Sequence, residues 1–230
     1  MRFGQIVRET VIGVLQNRDA LIRSLLVPVA GVILIELISL LPLNPGIRIL
    51  LTLLESALAV LITVTINRVV LLGPASTGYR ILNPWTRRET RLLFFMFGLG
   101  MIFVIPILAL FLPRIPFVSL TLLALCFWLE ARLILVLPVT AVDRHFSFRD
   151  SWQATRNYQW QMLGVVFLIP LTLGLPLAMI GALDYSAPLV TLLRIVPGVF
   201  VIAAVAVTFR QIELETGPGG SETGEQFETF

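Results

Sequence analysis

The chain has no lysine, one cysteine (Cys126) and one histidine (His145) in 230 residues, and only 13% of its residues are charged. A lone cysteine excludes an intramolecular disulfide, and one Cys with one His excludes a Cys/His zinc site of the usual spacing. So little charge excludes a soluble domain of this length, which needs more polar surface. Enzyme signatures are also missing: there is no P-loop, Gly-x-Gly-x-x-Gly, Gly-x-Ser-x-Gly or His-Glu-x-x-His. No catalytic residue, cofactor or metal is therefore expected, and the chain reads as a non-enzyme. Residues 1–20 carry Arg2, Arg8, Glu9, Arg18 and Asp19, with no uninterrupted apolar core and no cleavage motif. A cleavable signal peptide is not expected, and the first span itself should target the chain.

What the chain does have is apolar length. It is 57% hydrophobic, in long continuous runs rather than alternating ones. A bilayer core of about 30 Å needs about 20 apolar helical residues, and continuous runs of that length are helices. The expected fold is all-α, a polytopic transmembrane bundle of six spans at about residues 24–42, 48–72, 92–112, 117–137, 161–180 and 189–208. Residues 1–210 form a single membrane domain. The Glu-, Gly-, Thr- and Ser-rich stretch 211–230 is expected to be an acidic, disordered tail. Leu43-Asn44-Pro45-Gly46 and Pro113-Arg114-Ile115-Pro116 are short turn signals, and 181–188 is only slightly longer. Such turns force antiparallel hairpins of spans one–two, three–four and five–six.

The basic residues set the orientation. All 17 are Arg, as a GC-rich genome would give, and 14 fall at one side of the spans. Only Arg48, Arg114 and Arg194 lie at the other. By the positive-inside rule the Arg-rich side is cytoplasmic, with both termini inside a bacterial inner membrane. Trp85, Trp152, Trp160, Tyr79 and Tyr158 mark the same boundary, where amphipathic rings favour the headgroup level. Because the Arg residues border apolar spans, the expected partner is anionic lipid and not nucleic acid. Candidate headgroup contacts are Arg87, Arg88, Arg91, Arg149, Trp152 and Trp160. A membrane-protein partner or a homo-oligomer is also compatible with this surface.

Two stretches, 3–22 and 147–160, read as amphipathic helices lying in the interface. The second opens with Ser147-Phe148-Arg149-Asp150, a capping-box form. At an offset of 64 residues, Arg68, Pro74 and Arg80 align with Arg132, Pro138 and Arg144. Phe103 and Pro106 align with Phe167 and Pro170, as a parallel internal repeat would. Pro28, Pro106, Pro170 and Pro176 fall inside spans and should kink them. Gly98, Gly100, Gly164 and Gly174 should allow close helix contact.

Ionisable residues within spans cost about 2.5–3.5 kcal/mol each near the centre, so they need partners. Glu36, Glu55 and Arg194 form an outer layer, about 10 Å deep at a 1.5 Å rise per residue. Glu130, Arg132 and Arg68 form an inner layer. The expected pairs are Arg194 with Glu36 or Glu55, and Arg68 or Arg132 with Glu130, either fixing helix register or lining a polar pathway. Asp143, His145 and Asp150 on the second Arg-rich loop are read as loop solvation.

Ile66-Asn67-Arg68-Val69-Val70-Leu71-Leu72-Gly73 resembles the end of span two in a family of bacterial six-span membrane proteins. Ser151-Trp152-x-Ala154-Thr155-Arg156-Asn157 before an apolar span resembles a segment of the same proteins, and is similar to membrane domains attached to glycerophosphodiester phosphodiesterases. The resemblance covers most of residues 1–210. It implies a location and a helix count; Asn67 stands where that family often has His, and no phosphodiesterase residues are present. The function expected is a non-enzymatic assembly or envelope-maintenance factor. The alternative is a small-solute or ion transporter acting as an oligomer.

Overall fold

The computed structural model describes residues 3–77, 84–110, 116–181 and 187–216; side chains at 110, 116–117, 177–181, 187–192, 194 and 216 are outside the description. The fold is an all-α transmembrane bundle, and among the described residues six helical stretches are long and apolar enough to cross a membrane.

Helix α1 (Phe3–Gln16) is separated from α2 (Arg18–Ser39) only by Asn17, whose side-chain amide donates to the Gly13 carbonyl at 2.8 Å. The amphipathic stretch expected over 3–22 therefore ends at Gln16, and residues 18–22 already belong to span one. Span two is α3 (Pro45–Leu72). Its start follows from Asn44, whose side-chain oxygen accepts the Ile47 N–H at 2.9 Å, and from Pro45, which needs no amide partner in the first turn. It ends at Gly73, whose φ of 86° only glycine adopts readily, and a 3-10 turn, Pro74–Thr77, follows. Span three comprises α4 (Arg87–Ile102) and α5 (Val104–Leu110), and span four α6 (Pro116–Leu133) and α7 (Val136–Ala141). Helix α8 (Phe148–Ala154) lies between spans four and five. Span five comprises α9 (Gln159–Leu163), a π-turn (Gly164–Leu168) and α10 (Ile169–Gly181), and span six is α11 (Ala187–Thr216).

Proline explains the interruptions. Pro106 has no N–H for the Ile102 carbonyl, and the Cys126 thiol on α6 donates to that carbonyl at 3.2 Å instead. Pro138 likewise leaves the Ile134 carbonyl, which the Leu137 N–H takes at 3.0 Å. The π-turn directly precedes Pro170 and lets the Ile169 N–H reach the Gly164 carbonyl. Pro28 and Pro176 lie inside helices that continue through them.

The three hairpins are present: α2 packs on α3, α5 on α6, and α10 on α11. Span six also contacts α1, α2 and α3, while α3 reaches α4 and α7. Ala203, Ala204 and Ala206 are fully buried and small enough to let α11 approach its neighbours closely. Of the four glycines expected to allow close contact, Gly98 lies under the Phe148 ring and Gly164 under that of Phe3; Gly100 and Gly174 face open space.

Among the described residues burial is concentrated at the Arg-rich end of the spans, with Ile35, Pro106 and Ser119 as buried exceptions nearer the other end. In α3 the buried residues begin at Val60 and run to Val70, whereas residues 45–59 include none. Burial in α2 runs mainly from Ala20 to Pro28, in α7 it covers Val136 to Ala141 apart from Leu137, and in span six it falls between Ala203 and Ile212. At the turn end, Ile49, Leu50 and Leu53 are more than 60% exposed. The helices are tightly joined at one end and present their apolar surface outward at the other.

Two interfacial expectations change. Helix α1 is docked on α11 with Ile6 and Thr10 buried, so its apolar face meets protein. The tail begins later than residue 211, because α11 continues to Thr216. Ile212 is buried, Glu213 pairs with Arg144, and Glu215 accepts a hydrogen bond from Tyr158, whose phenol it pushes up. Residues 217–230 lie outside the described residues.

Candidate functional site

Two clusters of charge form at the Arg-rich end. The first joins spans two, three and four. Thr86 caps α4: its backbone N–H donates to Glu89 Oε2 at 2.7 Å, and its hydroxyl bonds the same oxygen. Glu89 is completely buried, and Arg88 donates to its Oε1 through Nε at 2.9 Å and Nη2 at 2.6 Å. The other arm of Arg88 reaches Asp143 at 2.8 Å, and Arg68 reaches the same carboxylate oxygen at 3.0 Å. Arg68 also donates to the Ala141 and Ser76 carbonyls at 3.4 Å. Two cations and two anions thus neutralise one another, and Asp143, at φ 65°, sits in the left-handed region to bridge them.

The second cluster holds no anion among the described residues. Arg132 is 5% exposed and donates to the Trp152 carbonyl at 2.7 Å and to Gln159 Oε1 at 3.3 Å. Its guanidinium lies 4.2 Å from the Trp152 ring centroid and 5.8 Å from that of Trp128, and the two rings meet edge to face at 5.3 Å. The Arg132 carbonyl in turn accepts the Ser151 and Thr155 hydroxyls at 2.8 and 3.2 Å. A desolvated guanidinium is held by carbonyl dipoles and aromatic faces rather than by an opposite charge. The result clamps α8 to span four.

The expected pairs are corrected accordingly. Arg68 takes Asp143 and not Glu130, and Arg132 takes no carboxylate within ion-pairing distance among the described residues. Glu130 lies two residues from Arg132 on one helix, about 200° around it, and so faces elsewhere. Glu36 and Glu55 have no ion pair among the described residues, and the Arg194 side chain lies outside them. Of the expected headgroup contacts, Arg88 is turned inward to the first cluster, and Trp152 stacks on Arg132 while remaining 37% exposed. Arg87, Arg91 and Arg149 are exposed, as is Trp160 at 75%. Glu89 is the residue sequence reasoning passed over, and Asp143, read as loop solvation, instead bridges Arg68 and Arg88. The Thr86-x-x-Glu89 capping-box spacing was a signal for the first, and nothing local marked the second.

The positions aligned at the 64-residue offset are alike only in part. Arg68 pairs with Asp143 whereas Arg132 is held by the Trp152 carbonyl of α8, Gly100 faces open space whereas Gly164 lies under Phe3, and Arg80 is outside the described residues. Phe103 and Phe167 both meet Phe127 edge to face, at 5.3 and 5.4 Å. Compared with known proteins, the chain matches no family model, no curated protein and no solved structure.

Proposed function

We propose that the chain is a non-enzymatic multi-pass protein of a bacterial inner membrane, an assembly or envelope-maintenance factor. Both termini and the Arg-rich end face the cytoplasm, where that end is held against anionic lipid. The observation that supports this is the division among the arginines. Arg68 and Arg88 are consumed by internal pairs, whereas Arg87, Arg91 and Arg149 are exposed and have no ion pair among the described residues. Each such Arg near an anionic surface contributes about 1 kcal/mol. The resemblance of residues 66–73 and 151–157 to six-span bacterial membrane proteins agrees with this location.

Extraction of the full chain together with its native lipid shell tests the reading. The shell should be enriched in anionic phospholipid relative to the bulk membrane, and one protein should co-purify constantly. A shell of bulk composition would overturn it. Orientation is checked by an impermeant maleimide, which should label Asn44→Cys from outside intact cells and Ser147→Cys only after lysis. The second reading, an oligomeric transporter, is favoured by Glu130, which is half-buried in span four without an ion pair among the described residues. Uptake or growth that survives Glu55→Gln with Glu130→Gln would remove it.

A further inference from the structure

Next to the paired arginines lies an open groove of about 600 Å³ between the start of α4 and the segment leading into α8. Its rim carries Arg91, His145 and Arg149, and its floor carries Phe95 and Phe148, which meet edge to face at 5.1 Å. Arg91 reaches His145 Nδ1 at 3.4 Å. The one carboxylate on the rim, Asp150, is engaged: its Oδ2 accepts the Ser147 N–H at 2.8 Å and the Ser147 hydroxyl at 2.7 Å. Neither Arg91 nor Arg149 has an ion pair among the described residues, so the groove holds two guanidiniums without counter-charge above an aromatic floor.

That combination fits an anionic amphiphile. A guanidinium fork matches two oxygens of a phosphate, and the rings offer apolar surface to the part of the ligand that carries it. The groove also stands at the right level, in the first turns of a span, where headgroup phosphates lie. From it an exposed apolar stripe, Phe94, Phe97 and Met101, runs down the outside of α4 toward the bilayer centre, as an acyl chain would.

We propose that this groove binds the phosphate of one phospholipid molecule from the leaflet at the Arg-rich end. This rests on the reading that the Arg-rich end faces anionic lipid, and narrows it from a surface to a site.

The test uses the full chain in nanodiscs of phosphatidylcholine doped with phosphatidylglycerol, with native mass spectrometry counting the phosphatidylglycerol retained per chain. Both target arginines are exposed and have no ion pair among the described residues, so the double variant Arg91→Gln/Arg149→Gln should fold, which unchanged thermal unfolding verifies. The wild-type chain should retain one phosphatidylglycerol, and the double variant should bind it roughly a hundredfold more weakly, as loss of charged hydrogen bonds implies. A control, Arg8→Gln/Arg87→Gln, lies off the groove and should retain the lipid. Equal retention by the groove variant would overturn the site while leaving the wider lipid-facing reading intact. Equal loss from both double variants would overturn it in favour of a diffuse charged surface. Displacement of the lipid by millimolar inorganic phosphate, with phosphate then bound, would overturn the lipid assignment in favour of a soluble phosphate. No anionic lipid on any form, wild type included, would overturn both readings.

Discussion

At the Arg-rich end, Arg68, Arg88, Glu89 and Asp143 form a chain of contacts of 3.0 Å or less, with Glu89 wholly buried. At the turn end, Glu36 is half-buried and Glu55 exposed, with no ion pair among the described residues. The same residue type meets opposite treatment because the helices are packed at one end and not at the other. Where packing removes water, a carboxylate must be matched by charge or hydrogen bonds. Where the helices present open faces, a long side chain keeps room to reach polar surroundings. The wholly buried carboxylate, Glu89, is the one bonded at both oxygens, whereas buried Arg132 is held without an opposite charge and Asp143 pairs with two arginines while exposed.

The sharpest way to break that comparison is Glu89→Gln. It leaves Arg88 with Asp143 alone and should cost about 3 kcal/mol, read by thermal unfolding in detergent with tryptophan fluorescence. A loss below about 1 kcal/mol would mean the packed end does not depend on its pairs. Next is Arg132→Met, expected to cost about 2 kcal/mol with a shift in Trp128 and Trp152 emission. Arg132→Lys should recover less than half of it, since an ammonium cannot stack as a planar guanidinium does. Cys126→Ala removes the donor to the Ile102 carbonyl and should cost about 1 kcal/mol in the same assay.

At the turn end, Glu55→Gln should change stability by no more than about 0.5 kcal/mol. A loss above about 2 kcal/mol would reveal a buried partner there and erase the contrast between the ends. The smallest effect concerns pH at α1. Glu9 is held below the usual carboxylate range by the Gln211 side chain foremost, and further by Gln5 and Arg210. A depressed carboxylate contributes stability above its unfolded value of about 4.3, and loses it as pH falls through the lower folded value. Proteolysis within α1 should therefore rise only on acidification below about pH 4.3.

The spans and their hairpins were legible because apolar length and turn residues such as Asn44-Pro45 act locally. The Ser147 cap was legible for the same reason. Arg68 and Arg132 were recognisable as buried cations needing partners, but the partners were not recognisable. Asp143 meets Arg68 across 75 positions of chain, a contact set by how spans two and four pack. Arg132 is satisfied by a carbonyl and two rings, and a search for opposite charges does not find those. Likewise Arg91 and Arg149 share the groove only because Phe148, the first residue of α8, packs on Phe95 of α4.

The π-turn at Gly164–Leu168 gives span five a different relation to sequence length. A π-turn takes in one more residue than a regular turn for nearly the same rise, so side chains after it are aimed about 100° away from where continuous winding would put them. Removing a single residue there would restore regular winding and keep the Ile169–Gly181 half of the span at its present azimuth, because the residue lost is the one the π-turn absorbs. Span five can therefore accept the deletion of one residue at this turn, a change that would unseat most other helices of the bundle.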